Sequence, residues 1–366
     1  MKKSLLIVAI GAAFVACAEN EVYNEVEQPE ILIGFSNANI GKKTKSGEVT
    51  NIETLQTNNG TMKVWGWKTV TAGTSQVFNN QLVTYNASSS QGTTKWEYTP
   101  LKYWDMEATN YSFYAVSPFT DKFSIDNTSR IITGSTIEPV QVLADNNGAS
   151  QITSSNTTAN DYLVADIVSK EPKGNASDED VAFTFSHILS KLAVSVKTRT
   201  NFNNTGTNYP QIKLTNLSIK LQGMCPTYTQ KTAGSVNADA TEGDTWSGTA
   251  MTETAYTCFS KGGSVTEDLL LSTTATEIAS YLVAPTATGT TSATYEYKVT
   301  VDYDIYYSAD EHEHFTATDK TIGTLTSFVQ NTNNTLTITI DPKAIYFDVE
   351  TVRERTTGTA GEVTIE

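Results

Sequence analysis

The period of the apolar residues constrains this fold most, because they alternate with polar residues over many short runs. Three of these runs are TMKVWGWKT (61–69), NYSFYAVSP (110–118) and TYEYKVTVDYDIYY (294–307). Clusters of Gly, Ser, Asn and Pro separate such runs at close spacing, and few windows repeat with the ~3.6-residue period of a helix. The pattern predicts an all-β protein built from sandwiches, with short and scarce helices.

A change of composition near the middle of the chain indicates a domain junction. The stretch KEPKGNASDED (170–180) is polar and contains Pro172 and Gly174, and 366 residues are enough for two domains. We predict a first β-sandwich at 46–180 and a second at 181–366, arranged in tandem.

The N-terminus has the layout of a lipoprotein export signal. It carries two lysines, an apolar run from Leu5 to Ala16 that is too short to span a bilayer, and then Cys17. Because Cys17 directly follows Phe-Val-Ala, the pattern predicts removal of residues 1–16 and acylation of Cys17, palmitate included. The acyl chains would tether the exported precursor to a membrane. A plain signal peptide with a chance cysteine is the alternative.

Charge and hydrophobic content exclude two classes of protein. The formal net charge is −15, so the surface repels phosphate backbones and no nucleic-acid partner is expected. Hydrophobic residues make up 39% of the chain and recur in alternating runs, which argues against disorder. We expect a folded, exported, acidic protein.

Residues with catalytic or metal-binding chemistry are scarce. Of the three histidines, His187 lies in an alternating run and is interpreted as a strand residue with a local hydrogen bond. His312 and His314 would share one face of a strand, a geometry used by metal ligands, but no third ligand accompanies them. No nucleophile elbow, phosphate-binding loop or dinucleotide fingerprint is present. The sequence predicts a protein that is not an enzyme, without a cofactor or metal site.

The cysteines and tryptophans leave alternatives open. Beyond Cys17, Cys225 and Cys258 form either one disulfide or two separate buried thiols. Most tryptophans are expected in the core, and Trp65 and Trp67 fit one buried face of a strand. Exposed tryptophans would instead stack on sugar rings, so a surface lipoprotein that binds glycans through a sandwich face and does not polymerise is the alternative function.

Residues 17–45 combine an acidic tether, a strand and a loop that a protease could cut. The strand ILIGF (31–35) has a core-filling face of three alternating residues: Ile31, Ile33 and Phe35. The polar loop behind it carries three lysines: Lys42, Lys43 and Lys45. This order suggests a temporary strand that is released when the loop is cut, leaving an open groove.

The C-terminal tail, 344–366, offers candidate replacements for that strand. Two short runs alternate with similar period and bulk: Ile345, Phe347 and Val349, then Val363 and Ile365. A strand from one subunit that completes the sheet of its neighbour is an effective way to build a filament of identical subunits. Two ordinary final strands of the second sandwich are the alternative.

The order and spacing of several motifs resemble the fimbrillin family of the Bacteroidales, two-domain lipoprotein pilins that include major and minor fimbrial subunits. The motifs are the lipobox at Cys17, ILIGF (31–35), TKSG (44–47), VWGWK (64–68), YWDMEATNYSFYAVSP (103–118), DYLVAD (161–166), FSHILSKLAVSV (185–196) and NTLTITIDPKAIYFDVETV (334–352). The resemblance implies two transthyretin-like β-sandwich domains and export as an outer-membrane lipoprotein. It also implies trimming by a trypsin-like protease and insertion of a C-terminal donor strand from another subunit.

On this resemblance the expected function is that of a structural pilin in cell-surface fimbriae that support adhesion. Its partners would be identical or related pilins, anchor and tip proteins, and the processing protease. The chain departs from the family in having no arginine before Arg130, so a lysine of the loop would have to be cut. It also lacks the tryptophan that many relatives carry near the end. A cleavable loop with a long tail favours a shaft or stalk subunit.

Overall fold

The computed structural model describes most of the chain between residues 30 and 350. The described residues are 30–36, 39–40, 49, 52–91, 95–137, 140–142, 161–172, 180–200, 209–231, 244–250, 252–261, 268–286, 295–325, 328–341 and 344–350. Those from Ile31 onward belong to one compact unit. Within the described part, no helix has the length and apolar character needed to cross a membrane.

Almost all regular structure is β-strand, so the all-β prediction is confirmed. The described helical structure is a short α-helix at Ile52–Thr54 that continues as a π-helical turn at Leu55–Asn59. In chain order the strands are β1 (Asn39–Ile40), β2 (Thr61–Val70), β3 (Gly73–Tyr85), β4 (Trp96–Glu97), β5 (Asn110–Ser117), β6 (Phe123–Ile125), β7 (Ile132–Gly134), β8 (Val140–Val142), β9 (Leu163–Ala165), β10 (Val168–Lys170), β11 (Thr184–His187), β12 (Ser190–Thr198), β13 (Gln211–Leu221), β14 (Thr227–Thr229), β15 (Thr245–Ser247), β16 (Thr254–Ser260), β17 (Leu269–Leu270), β18 (Thr276–Val283), β19 (Tyr295–Tyr306), β20 (His312–Leu325), β21 (Asn333–Asp341) and β22 (Ala344–Glu350).

The described strands form four sheets. Sheet 1 has the order β1-β11-β9-β5-β2-β3-β4, with β10 also paired to β5, and sheet 2 has the order β22-β21-β12-β18-β8. Sheet 3 has the order β16-β13-β19-β20, with β17 paired to β13, and sheet 4 has the order β15-β14-β7-β6. Pairing is antiparallel except between β1 and β11 and between β12 and β21.

The central strands of sheet 1 are buried on both faces. In β2, Met62 and Val64 join one hydrophobic cluster, here called the first core, whose members all come from residues 31–185. Trp65 and Trp67 join a second core, which extends to residue 340. Because neighbouring residues of a strand point to opposite faces, double burial explains why apolar Val64 and Trp65 stand next to each other in β2.

Strands from both predicted halves share sheets. From the first half, β7 pairs with β14 and β8 pairs with β18. From the second half, β11 pairs with β9 in sheet 1. Sheet membership therefore does not change at residue 180, and the division into tandem domains at that residue stays a prediction.

Two aromatic rings of the first core pack directly against Gly66 of β2. A Cβ atom at this position would lie 2.9 Å from Phe78 and 3.1 Å from Phe113, both of which are ring carbons. Contacts this short require the rings to move, so the absence of a side chain lets two phenylalanine rings pack directly on the strand.

Adding one methyl group at Gly66 tests this packing. We expect Gly66→Ala to lower the free energy of unfolding by about 1–3 kcal/mol, because the rings of Phe78 and Phe113 must shift. The matched control is Ser75→Ala on the exposed part of β3, which should stay within about 0.5 kcal/mol of the unmodified chain. Urea unfolding followed by tryptophan fluorescence measures both, and equal stability of the two variants would contradict the expectation.

Candidate functional site

Residues 31–36, here called the inserted segment, lie between two stretches that are distant in the sequence. On one side the segment runs antiparallel to residues 102–104, with Leu32 opposite Tyr103. The Ile33 N–H donates to the Lys102 carbonyl at 2.9 Å, and the Trp104 N–H donates to the Ile31 carbonyl at 2.9 Å. This edge of the segment is therefore paired like a short strand.

The other edge of the inserted segment pairs with Val181, which begins the stretch leading into β11. Phe35 and Val181 form a parallel bridge. The Ser36 N–H donates to the Val181 carbonyl at 3.0 Å, and the Val181 N–H donates to the Gly34 carbonyl at 2.8 Å. The segment thus satisfies main-chain groups on two separate stretches, neither of which is its neighbour in the chain.

The side chains of the inserted segment alternate between core and surface. Ile33 and Phe35 are 0% exposed and Ile31 is 8% exposed, and all three belong to the first core. Leu32 and Gly34, which lie between them, are only partly buried. The predicted core-filling face is therefore the one that the structure buries.

Phe35 is surrounded by aromatic rings. It stacks on Phe183 at a centroid distance of 6.0 Å and meets three other rings edge to face or nearly so. These three are Phe78 at 5.6 Å, Tyr98 at 5.4 Å and Phe113 at 6.4 Å. Loss of the segment would leave these rings facing an empty pocket.

The hydroxyl of Tyr98 reaches the main chain of the inserted segment. It donates to the Ile33 carbonyl at 2.7 Å, and the Lys102 N–H donates to the hydroxyl oxygen at 3.3 Å. Burial raises the pKa of Tyr98 to about 12, so the hydroxyl keeps its proton at neutral pH.

Residues 102–104 form one wall of the groove that holds the inserted segment. Contacts outside the segment hold this wall in place. Lys68 and Asp105 form an ion pair at 2.5 Å, which raises the pKa of Lys68 and lowers that of Asp105. The Asp105 N–H donates to the Tyr111 hydroxyl at 2.7 Å, and the Trp104 ring meets the Tyr111 ring edge to face at 4.6 Å. This wall is therefore attached to β2 and β5 independently of the segment.

The predicted processing sites fall outside the described residues. Beyond the inserted segment, β1 runs parallel to β11, with Asn39 opposite Thr184 and Ile40 opposite Phe185. The described part of the chain does not include Cys17 or the loop with Lys42, Lys43 and Lys45. Acylation and cleavage at these residues stay predictions.

One of the two candidate donor runs lies on β22. Ile345, Phe347 and Val349 stand opposite Ile340, Ile338 and Leu336 of β21, respectively. The order of sheet 2 places β22 at one end of the described sheet. The second run, with Val363 and Ile365, lies outside the described residues.

The histidines have partners among neighbouring side chains. His187 is buried and its Nδ1 lies 3.0 Å from Asp161 Oδ1, a local hydrogen bond of the kind predicted. His312 stacks on the Tyr306 ring at 4.8 Å, and Nδ1 of His314 lies 2.6 Å from Asp304 Oδ1. Among the described residues, no group of three or more His, Cys, Asp or Glu side chains could hold a metal ion.

The positions of the cysteines and the burial of the tryptophans bear on two of the open alternatives. Cys225 and Cys258 are both buried and are not joined by a disulfide, so the disulfide alternative is wrong. All five tryptophans are at most 5% exposed: Trp65, Trp67, Trp96, Trp104 and Trp246. They supply core area and offer no stacking surface for sugar rings, so the glycan-binding alternative loses the residues on which it rested.

Sequence reasoning missed Tyr98 and Val181. Both residues form hydrogen bonds with the main chain of the inserted segment. The alternation of apolar and polar residues in the sequence does not indicate such bonds. The residue pattern around Tyr98, KWEYTP (95–100), indicated only a strand.

Comparisons with known proteins agree on one family. A family model described as fimbrillin-like matches residues 49–366. The fimbrium subunit Fim1C of Phocaeicola vulgatus is 26% identical over 211 residues, which cover 55% of this chain and 52% of that protein. The matched region thus spans about half the length of this curated relative.

Two solved structures also resemble the chain. A fimbrial protein from Bacteroides vulgatus has a TM-score of 0.48 at 18% identity, covering 88% of this chain and 98% of that one. A protein from Bacteroides uniformis, described as a proposed cell adhesion protein, has a TM-score of 0.41 at 15% identity, covering 89% and 98%.

Truncating the buried face of the inserted segment tests its contribution to stability. We expect Ile33→Ala to lower the free energy of unfolding by about 2–5 kcal/mol, because it empties a fully buried site. Leu82→Ala removes the same number of carbons from a side chain that is 42% exposed and should lower it by less than about 1 kcal/mol. Urea unfolding of the chain from residue 18 onward measures both. If the two variants are equally stable, the segment is not part of the core in solution.

Proposed function

This chain belongs to the fimbrillin-like family, and we propose that it is a structural subunit of cell-surface fimbriae. Its precursor is exported as an outer-membrane lipoprotein through Cys17, trimmed in the lysine loop, and polymerised when a neighbour's C-terminal strand replaces the inserted segment. The observation that carries the proposal is the inserted segment itself, which fills the first core and is followed in the sequence by three lysines.

The contacts of the inserted segment make it suited to replacement. It exchanges four main-chain hydrogen bonds with residues 102, 104 and 181, and any extended strand can make such bonds. Specific fit comes from the pockets of Ile31, Ile33 and Phe35, which accept apolar residues at every second position. A replacement strand therefore needs three alternating apolar residues.

Removal of the inserted segment provides the driving force for assembly. It would uncover the aromatic rings around Phe35 and leave the edges at 102–104 and 181 without their partner. Burying each large apolar side chain again contributes about 1.5–3 kcal/mol, and the main-chain bonds add to this. The trimmed subunit is thereby driven to accept a strand from another copy, and dissociation is slow.

The order of events keeps the precursor monomeric. While the inserted segment is in place, the groove is closed and the precursor can be exported tethered by lipid at Cys17. Cleavage after Lys42, Lys43 or Lys45 by a trypsin-like protease separates the segment from the rest of the chain, so assembly begins only at the surface. Identical subunits, with related anchor and tip proteins, are then the partners.

The run Ile345, Phe347 and Val349 matches the groove in number and spacing of apolar residues, whereas Val363 and Ile365 fill two pockets. Either run supplies the donor strand in this proposal, and both lie in the tail 344–366. A shaft or stalk position in the filament follows, because a terminal anchor has no need of a vacated groove.

A disulfide that locks the inserted segment in place tests the proposal. Leu32 and Tyr103 face each other as a pair without direct hydrogen bonds between them, which brings Cα atoms to about 4.5 Å, within disulfide range. We expect trypsin to trim the Leu32→Cys/Tyr103→Cys chain in its loop without producing polymer ladders on a gel. Reduction of the disulfide should then restore the ladders.

Single-cysteine variants are the matched controls for the lock. Leu32→Cys and Tyr103→Cys alone should polymerise after trimming with or without reductant, as should the unmodified chain. A deletion of residues 344–366 should stay monomeric after trimming because it has no donor strand. Polymers that form while the segment is still locked would contradict the proposal, as would an unmodified trimmed chain that stays monomeric.

A further inference from the structure

The pairing of the N-terminal part of the chain with residues 181–185 does not end with the inserted segment. Phe35, near the end of that segment, forms a parallel bridge with Val181. Further along, β1 also runs parallel to β11, and Ile40 of β1 lies opposite Phe185. Both pieces therefore follow the same stretch in the same direction.

The register between these two contacts gains one residue. From Phe35 to Ile40 the chain advances by five residues, whereas its partner advances by four, from Val181 to Phe185. Because neighbouring residues of a strand point to opposite faces, one extra residue exchanges the two faces. An unbroken alternation with Phe35 would turn Ile40 away from the core, and the extra residue turns it inward.

Ile40 is a fourth core residue of this part of the chain. It is 8% exposed and belongs to the first core, as do the three buried residues of the inserted segment. The stretch along which it lies is aromatic, since Phe183 and Phe185 are buried with their ring centroids 5.9 Å apart. Phe35 stacks on Phe183. Phe35 and Ile40 thus occupy two sites along one buried row.

A cut in the lysine loop leaves all of these contacts in place. The sequence has no lysine or arginine in residues 18–41, so a trypsin-like protease has no site before Lys42 in the exported chain. Hydrolysis after Lys42, Lys43 or Lys45 adds one water across one peptide bond, which lies beyond Ile40. The N-terminal product, here called the cut peptide, keeps its four buried apolar side chains and its main-chain bonds.

Cleavage therefore breaks the covalent link without emptying the groove. To leave, the cut peptide has to withdraw four large apolar side chains from the first core, and dissociation that exposes such surface to water is slow. Ile40 is the buried residue nearest to the new end, two residues before Lys42. Peeling of the cut peptide from that end starts with Ile40.

We propose that Ile40 is the fourth anchor of the removable segment and that it controls how fast the cut peptide leaves the groove. Release of the cut peptide, rather than cleavage, then sets the rate of assembly. This inference rests on the proposed strand exchange, because an opened groove leads to assembly only when another copy fills it. The site that holds the segment accordingly includes the position of Ile40 as well as those of the ILIGF run (31–35).

Release of a labelled cut peptide measures this role. The chain from residue 18 onward carries a fluorescent label at its N-terminus and is trimmed with trypsin. A denaturing gel follows cleavage, and gel filtration without denaturant follows separation of the label from the rest of the protein. We expect the unmodified chain to be cleaved well before its label separates. We expect Ile40→Ala to release the label at least tenfold faster, at a cleavage rate within about twofold of the unmodified chain, because one anchor is lost.

Ile167→Ala is the matched control, since it removes the same atoms from a side chain that is 37% exposed and lies outside the removable segment. Its label should separate at a rate within about twofold of that of the unmodified chain. Ile40→Val keeps most of the buried side chain and should give a rate between those of the unmodified chain and Ile40→Ala. Equal release from Ile40→Ala and Ile167→Ala would overturn the anchor role.

The rate of ladder formation distinguishes this inference from the proposed function. After trimming, we expect Ile40→Ala to form ladders at least fivefold faster than the unmodified chain. A synthetic peptide of residues 31–40 should delay the ladders, and the same peptide with Ile40→Ala should need at least a tenfold higher concentration for the same delay. Ladders that form at equal rates despite faster release would overturn the control of assembly by release. If release responds as expected but no chain polymerises, the strand exchange fails while the anchor role of Ile40 stands.

Discussion

The pairing of residues 31–36 with two distant stretches is the interaction on which the rest of the account depends. The inserted segment joins residues 102–104 to residue 181 through main-chain hydrogen bonds and fills the first core with Ile33 and Phe35. Main-chain bonds are indifferent to the identity of the strand, and apolar pockets accept any residue of similar shape. In the proposed strand exchange, the contacts that the inserted segment makes define what a neighbouring subunit has to supply.

The proposed strand exchange requires the groove to keep its shape after the inserted segment leaves, and contacts elsewhere in the fold favour this. Sheet 1 carries the first core on one face and the second core on the other, so its central strands remain packed on the far side. Strands β7 and β8 pair with strands of the second half, which ties both parts of the chain into one frame. The ion pair of Lys68 with Asp105 fastens the wall from outside. A frame with these ties can lose one short segment without losing its shape.

The alternation of apolar and polar residues was enough to predict the fold class and the buried face of the inserted segment. It also predicted burial of Trp65 and Trp67, because the two side chains share one face of a strand. It could not reveal that β7 and β8 pair with strands of the second half, since pairing partners depend on main-chain hydrogen bonds over long separations. For the same reason the sequence did not indicate the contact of Tyr98, whose hydroxyl reaches the Ile33 carbonyl only in the folded chain. Cys225 and Cys258 remained ambiguous because a sequence carries no distance between two thiols.

High-resolution electron cryo-microscopy of filaments grown from the trimmed chain tests the central claim most directly. The account predicts that the density between residues 102–104 and residue 181 is continuous with the C-terminal tail of an adjacent subunit, with apolar side chains in the three pockets. Density in that groove that is continuous with residues 31–36 of the same subunit would contradict it.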